Sequence, residues 1–322
     1  MQTERPHVLQ CGKMPLPQLD AALAEHYQIT LLSEQTDPLA YLRTHGAQFA
    51  YAVTTAGIGL RADMVRALPN LQFVSSFGVG YDALDQASLQ AQGVRVGYTP
   101  GVLDDCVADL AFALMLDVAR DVARADRFVR AGQWGQQRFP LGTRVSGKRL
   151  GILGMGRIGS AVAKRAAGFD MDIGYHNRRP VAGSAHQYFD SLHALAQWCD
   201  FLVITAAGGS DTLHLVDAKV LQALGPKGFL INVARGSVVD EQALVHALQQ
   251  GQIAGAGLDV FENEPKPLPA LFALDNVVLA PHIASGTHET RQAMGDLVLE
   301  NLASFIRTGQ PVAEVPWSVP RA

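Results

Sequence analysis

"KRLGILGMGRIGSAVAKRAAGF" occupies residues 148–169, and its reading decides the fold. An apolar run from Leu150 to Leu153 leads into Gly154-x-Gly156-x-x-Gly159. Ile158, Val162 and Ala166 then recur on one helical face. A bare GxGxxG says little. Between a strand and a helix it is the fingerprint of a dinucleotide-binding βαβ unit. Gly154 permits the tight turn, Gly156 lets the backbone approach a pyrophosphate, and Gly159 lets the helix pack close to the strand. The helix N-terminus then presents free N–H groups and a positive dipole end to phosphate. A plain glycine-rich turn is the competing reading, and the strand–loop–helix order disfavours it.

Working outward, the alternation of short apolar runs with amphipathic stretches continues on both sides, as in parallel α/β sheets. Downstream, strands are predicted at 171–176, 200–205, 228–234, 254–260 and 276–281. Upstream they are predicted at 49–55, 71–77 and 94–99, with helices at 62–68 and 85–92. "TPG" at 99–101 is a break. One long helix is predicted from Asp104 to Gly132, with Arg127 and Arg130 near its end, and another from Glu289 onward. A chain of 322 residues is too long for one comfortable core. The downstream series is complete, whereas the upstream one lacks a closing element that the C-terminal helix can supply. The expected fold class is therefore α/β, with two doubly wound parallel-sheet domains, one of them discontinuous.

Composition narrows the function. The chain is 48% apolar and 17% charged with a net charge of −4, as in soluble globular proteins, which points away from nucleic-acid or membrane-surface partners. Cys11, Cys106 and Cys199 are isolated, with no metal-ligand spacing, which suits a reducing cytoplasmic compartment and no bound metal. The N-terminal "MQTERPHVLQ" lacks the apolar core of a signal peptide. The run "LAFALMLDVA" (110–119) is too short to span a bilayer and carries Asp117.

A carboxylate for the adenine ribose is expected about 20 residues beyond the glycines. "GYHNRRP" (174–180) falls in that register and carries Asn177, Arg178 and Arg179, with no acid from Ile173 to Phe189. A ribose 2′-phosphate suits arginine forks and is repelled by Asp, so the stretch points to NADP(H) over NAD(H). A solvated basic turn is the alternative.

Three residues fall at the ends of later predicted strands, where ligands of such sheets gather: Arg235 in "VARGSVVD", Glu264 in "DVFENEP" and His282 in "APHIASG". Each alone reads equally as a structural residue. Together they suit reduction of a 2-keto acid beside a nicotinamide. His282 would donate the proton, since histidines titrate near neutrality. Glu264 would orient the ring, and Arg235 would hold the substrate carboxylate and polarise the carbonyl. "SSFGVGYD" (75–82), with Gly78 and Gly80 flanking Val79, reads as an anion nest or as a plain turn.

These stretches, with "TPGVLDDCVADLAFALML", "NVARGSVVDEQALVHALQQGQIAGAGLDVFENEP" and "NVVLAPHIASGTHETRQAM", run in one order along essentially the whole chain. The sequence resembles the D-isomer-specific 2-hydroxyacid dehydrogenase family, and within it the NADP-dependent glyoxylate/hydroxypyruvate reductases. The resemblance implies two Rossmann-like domains, a substrate domain of 1–100 and 287–322 and an NADP-binding domain of 101–286. It implies Arg235, Glu264 and His282 in the roles just argued. Gly154, Met155, Gly156, Arg157, Ile158 and Gly159 would meet the pyrophosphate, and Asn177, Arg178 and Arg179 the 2′-phosphate. Thr205, Ala206 and Thr212 would face the adenosine side. Val233, Ala234, Arg235, Asp259, His282, Ser285 and Gly286 would line the nicotinamide end. Gly78, Val79 and Gly80 would bind the substrate with Arg235, His282 and Ser285. It also implies a homodimer through the long helix and its following arm, where Trp134 either packs the interface or reaches the partner's site.

One departure is "TAAGGSDT", where the family commonly has a proline turn; Ala206 and Ala207 stand there instead. A small 2-keto acid is the leading substrate. Bulkier aryl pyruvates are the alternative, to be decided by residues near Thr55–Gly57, Leu103 and Trp134. Relatives that sense nicotinamide and bind other proteins are a third possibility.

Overall fold

The computed structural model describes residues 5–317, so residues 1–4 and 318–322 of the expected substrate domain lie outside the described residues. The chain divides into two compact units.

Residues up to Leu103 and from Thr287 onward form the first. Its strands are β1 (His7–Gln10), β2 (Gln28–Leu31), β3 (Tyr51–Thr55), β4 (Phe73–Phe77) and β5 (Arg95–Gly97), all parallel, in the order β2-β1-β3-β4-β5. Every residue of β4 is buried, the mark of a central parallel strand covered on both faces. The closing helix is His288–Thr308, capped by Thr287 and stopped by Gly309 in the left-handed region. Met294, Val298, Leu302 and Phe305 are buried at helical spacing. Phe305 stacks on Phe73 at 4.4 Å, and Ser75 Oγ donates to the Val298 carbonyl at 3.0 Å. The C-terminal helix therefore does complete this sheet. β1 and β2 are absent from the sequence reading. Both are only four residues long, and β2 has no fully buried residue.

Asp104–Gly286 form the second unit. Its strands are β6 (Arg149–Leu153), β7 (Asp172–His176), β8 (Gln187–Tyr188), β9 (Phe201–Ile204), β10 (Phe229–Asn232), β11 (Gly255–Leu258) and β12 (Val277–Leu279). Their order is β12-β11-β10-β9-β6-β7-β8, all parallel, so the direction of winding reverses between β6 and β9. That reversal opens a ligand crevice at the carboxyl ends of those two strands.

The single helix predicted for 104–132 is two, Asp104–Arg120 and Val122–Arg130, parted at Asp121 with φ of 54°. Asp117 Oδ1 accepts the Ala123 N–H at 2.8 Å and so caps the second helix from within the first. The first helix buries Val107, Ala111, Leu114 and Met115, while the second buries nothing. Among the described residues no helix is long and apolar enough to cross a membrane.

Candidate active site

The glycine loop sits on the carboxyl end of β6, at the reversal. Gly154 has φ of 103°, and a Cβ there would meet the Ala206 nitrogen at 2.6 Å. A Cβ on Gly159 would meet the Gly154 carbonyl oxygen at 2.4 Å. Only glycine fits these two positions. At Gly156 the space is open. Gly156 is also the N-cap of helix Arg157–Ala166, and no side chain caps it. An open approach at the middle glycine, facing uncapped amides, fits a pyrophosphate. Thr205 braces the cradle from the end of β9, its Oγ1 donating to the Gly154 carbonyl at 2.7 Å.

At the end of β7 the structure separates Asn177 from its two arginine neighbours. Asn177 Oδ1 accepts the Met155 N–H at 2.6 Å, and its Nδ2 donates back to the Met155 carbonyl at 3.4 Å. The side chain expected on the 2′-phosphate thus ties β7 to the glycine loop. Arg178 and Arg179 are exposed. Arg178 Nη1 lies 3.6 Å from Asp211 Oδ2, a carboxylate absent from the sequence reading. Thr212 Oγ1 donates to the carbonyls of Ala207 at 2.9 Å and Gly209 at 3.1 Å, so it closes the turn that carries Asp211.

Glu264 and His282 come together. His282 Nδ1 lies 2.7 Å from Glu264 Oε2, and the Phe261 N–H donates to Glu264 Oε1 at 3.0 Å. Burial works to raise the Glu264 carboxyl. The hydrogen bonds from His282 and Phe261, with the charges of His282 and Arg235, outweigh it and hold the group below its ordinary range. An ionised carboxylate only accepts, so Nδ1 carries the hydrogen in this pair.

His282 has φ of 53°, uncommon for a residue with a Cβ and worth about 1–3 kcal/mol of strain. Asp259 holds it there. Fully buried, Asp259 accepts the N–H groups of Ile283 at 2.7 Å and Ala284 at 2.9 Å, and its carbonyl accepts the His282 N–H at 2.9 Å. Burial pushes the Asp259 carboxyl up, against the pull of the two amides and the His282 charge. Expected at the nicotinamide end, Asp259 spends both oxygens on positioning the histidine loop. Ser285 is half-buried, and the Gly286 N–H donates to the Ile283 carbonyl at 2.7 Å.

Arg235 follows β10. Asn232, missed in the sequence reading, fixes that corner: its Oδ1 accepts the Ala234 N–H at 3.1 Å and its Nδ2 donates to the Arg235 carbonyl at 2.9 Å. Arg235 Nη1 donates to the Ala234 carbonyl at 2.7 Å, and Val233 and Ala234 are buried. An Asn closing a strand before a polar turn is the local signal that could have found it.

In the first unit, Gly78 departs from expectation. Its N–H is taken by Thr99 Oγ1 at 3.0 Å, and the Thr99 N–H returns to the Gly78 carbonyl at 3.0 Å. Gly78 is therefore committed to Thr99. Among the described residues the amides of Val79 and Gly80 have no protein partner.

A phosphate cradle at the switch point of a parallel sheet, with an imidazole–carboxylate pair at later strand ends of the same unit, defines a dinucleotide-dependent oxidoreductase. Residues 112–284 match the D-isomer specific 2-hydroxyacid dehydrogenase NAD binding domain, and the chain belongs to that family. It is 45% identical to a glyoxylate/hydroxypyruvate reductase A of Arabidopsis thaliana, over 88% of this chain and 91% of that one. It is 44% identical to a hydroxyphenylpyruvate reductase of Plectranthus scutellarioides, over 91% and 94%. The structure is similar to an NADPH-dependent glyoxylate/hydroxypyruvate reductase of Sinorhizobium meliloti in complex with NADP and malonate. There the TM-score is 0.90 and the identity 40%, over 99% of this chain and all of that one. The cofactor is accordingly a nicotinamide dinucleotide.

Proposed function

We propose that this protein is an NADPH-dependent reductase of small 2-keto acids, glyoxylate and hydroxypyruvate, yielding glycolate and D-glycerate. The observation that carries the reaction is the 2.7 Å contact between His282 Nδ1 and Glu264 Oε2 in the unit that also holds the glycine cradle. Gly154–Gly159 would hold the pyrophosphate, and Arg178 and Arg179 the 2′-phosphate. The exposed guanidinium pair at the end of β7 supports NADPH over NADH.

When bound, the nicotinamide supplies the two electrons and the hydrogen that reduce the keto carbon. His282 delivers the proton from Nε2 to the carbonyl oxygen. Glu264 accepts from Nδ1 and so keeps the ring turned. Arg235 binds the substrate carboxylate and draws electron density towards the carbonyl oxygen. In the first unit, the amides of Val79 and Gly80 are the proposed anchor for a substrate carboxylate.

The reading extends to a homodimer. Val122, Val129, Trp134 and Leu141 are 56%, 52%, 75% and 100% exposed along one stretch of the chain, which supports burial of that stretch against a second copy. Cys11, Cys106 and Cys199 form no disulfide among the described residues, which supports a reducing, cytoplasmic setting.

The test is initial rates with glyoxylate, hydroxypyruvate and phenylpyruvate, each with NADPH and with NADH. The highest kcat/KM is expected for a small keto acid with NADPH. A clear preference for phenylpyruvate would transfer the assignment to aryl pyruvates, the reading favoured by the Plectranthus relative. NADPH binding without turnover of any keto acid would favour a sensor.

A second expected result concerns pH. Because the Glu264 carboxyl is held low, its charge is present through neutrality and is lost only as pH falls through that depressed value. Glu264→Gln removes the charge at every pH. It is expected to lower kcat about ten-fold at neutral pH, less than loss of the general acid itself, and the gap from wild type should close as pH falls through the depressed Glu264 value, where the wild-type carboxylate is protonated too. A gap that persists unchanged at low pH would show that the Glu264 charge does not support the proton donor.

A further inference from the structure

Asp211 has no place in the reaction, yet it faces the arginine assigned to the cofactor's 2′-phosphate. The two residues belong to loops on non-adjacent strands. Arg178 follows β7 and Asp211 follows β9, and in the sheet β6 lies between them. Strands are spaced about 4.8 Å apart, so the loops start about 10 Å apart. The 3.6 Å approach of Arg178 Nη1 to Asp211 Oδ2 bridges the carboxyl end of β6, where the glycine loop sits.

The turn that carries Asp211 is closed by its neighbour. Thr212 Oγ1 ties the turn Ser210–Thr212 to two preceding carbonyls, at 2.9 Å and 3.1 Å. The side chains are 91% and 77% exposed, so the pair is weak and exchangeable.

We propose that Asp211 is a specificity-determining residue that competes with the 2′-phosphate for Arg178 and so limits the preference for NADP(H). This rests on the reading of Arg178 and Arg179 as the 2′-phosphate clamp. A 2′-phosphate brings up to two negative charges to a guanidinium already beside a carboxylate. Binding NADP(H) exchanges one anionic partner for another and leaves the Asp211 charge nearby. NAD(H) has a neutral 2′-hydroxyl, so Arg178 keeps Asp211 and no exchange is needed. The carboxylate therefore penalises the phosphorylated cofactor and is nearly indifferent to the other.

The experiment is calorimetric titration of the full-length protein with NADP+ and with NAD+, comparing wild type with Asp211→Asn. The substitution keeps the shape and removes the charge at an exposed position. The Kd for NADP+ is expected to fall about three- to five-fold, the span of an exposed ion pair, while that for NAD+ stays within about 1.5-fold. The gain should shrink as salt is raised, because exposed charges are screened. It should also shrink in an Arg178→Ala background. An unchanged NADP+ affinity, a parallel change for both cofactors, or an undiminished gain without Arg178 would each overturn the proposal. The underlying clamp fails separately: an NADP+ affinity unchanged by Arg178→Ala with Arg179→Ala removes the clamp itself. A wild-type preference for NADP+ that ignores Asp211→Asn removes only the competition.

Discussion

His282→Ala is expected to lower kcat for keto-acid reduction by about 10²–10⁴-fold, the range for loss of a general acid, and to leave the Kd for NADP+ within about two-fold. The split follows from the geometry. His282 bonds through Nδ1 to Glu264, on the loops after β11 and β12, while the cradle and the arginines lie after β6 and β7. The backbone of residue 282 sits at φ of 53°, a conformation that costs alanine about 1–2 kcal/mol. Loss of activity in that variant therefore needs separating from loss of the loop. His282→Asn does so. Asparagine tolerates the left-handed region and can donate to Glu264, but it has no titratable proton to give. Asp259 still accepts the amides of Ile283 and Ala284 in either variant, since those bonds use no side-chain atom of residue 282. Both variants should lose kcat to a similar degree. A near-normal kcat in His282→Asn would mean that another group donates the proton.

What was legible in the sequence was what local spacing encodes. The glycine fingerprint lies within six residues, and two of its glycines are required because a Cβ would come within 2.6 Å of the neighbouring strand end and 2.4 Å of the loop's own carbonyl. Arg235, Glu264 and His282 were legible because strand ends recur along a βαβ series, and the strands were marked by their apolar runs. The helix break at Asp121 was not. The apolar pattern continues through it, and the break depends on the Asp117 side chain reaching Ala123. Contacts between distant positions were not legible either. The Gly78 amide is taken by Thr99, and Asn177 is drawn to Met155, across turns whose closure a linear reading does not contain. Asn177 shows the limit plainly: its type and register suit a phosphate ligand, but its contact with the Met155 backbone emerges only from the folded turn. Asp211 was passed over because an isolated Asp in a glycine-rich loop has no periodic or motif signal. It acquires meaning only when the strand order brings Arg178 opposite.

The other large effect is expected at the arginines. Arg178→Ala combined with Arg179→Ala should raise the KM for NADPH by about 10²-fold and leave that for NADH within about two-fold. A hydrogen bond to a charged group is worth about 1.5–3 kcal/mol, and 1.4 kcal/mol is ten-fold in affinity. Two such bonds at full strength would exceed 10³-fold. Both arginines are exposed, and Arg178 already has Asp211 as an alternative partner, so the lower figure is the one expected. Neither guanidinium braces the glycine loop; Asn177 and Thr205 do that, and both are kept in the double variant. Loss of NADPH affinity would therefore report the 2′-phosphate and not a damaged cradle. Raising the salt concentration should weaken wild-type NADPH binding and bring the two proteins closer together, because the interaction removed is a screened one. If the KM values for NADPH and NADH change equally, the phosphate-clamp reading of "NRRP" falls. The choice of cofactor must then be sought in the cradle itself.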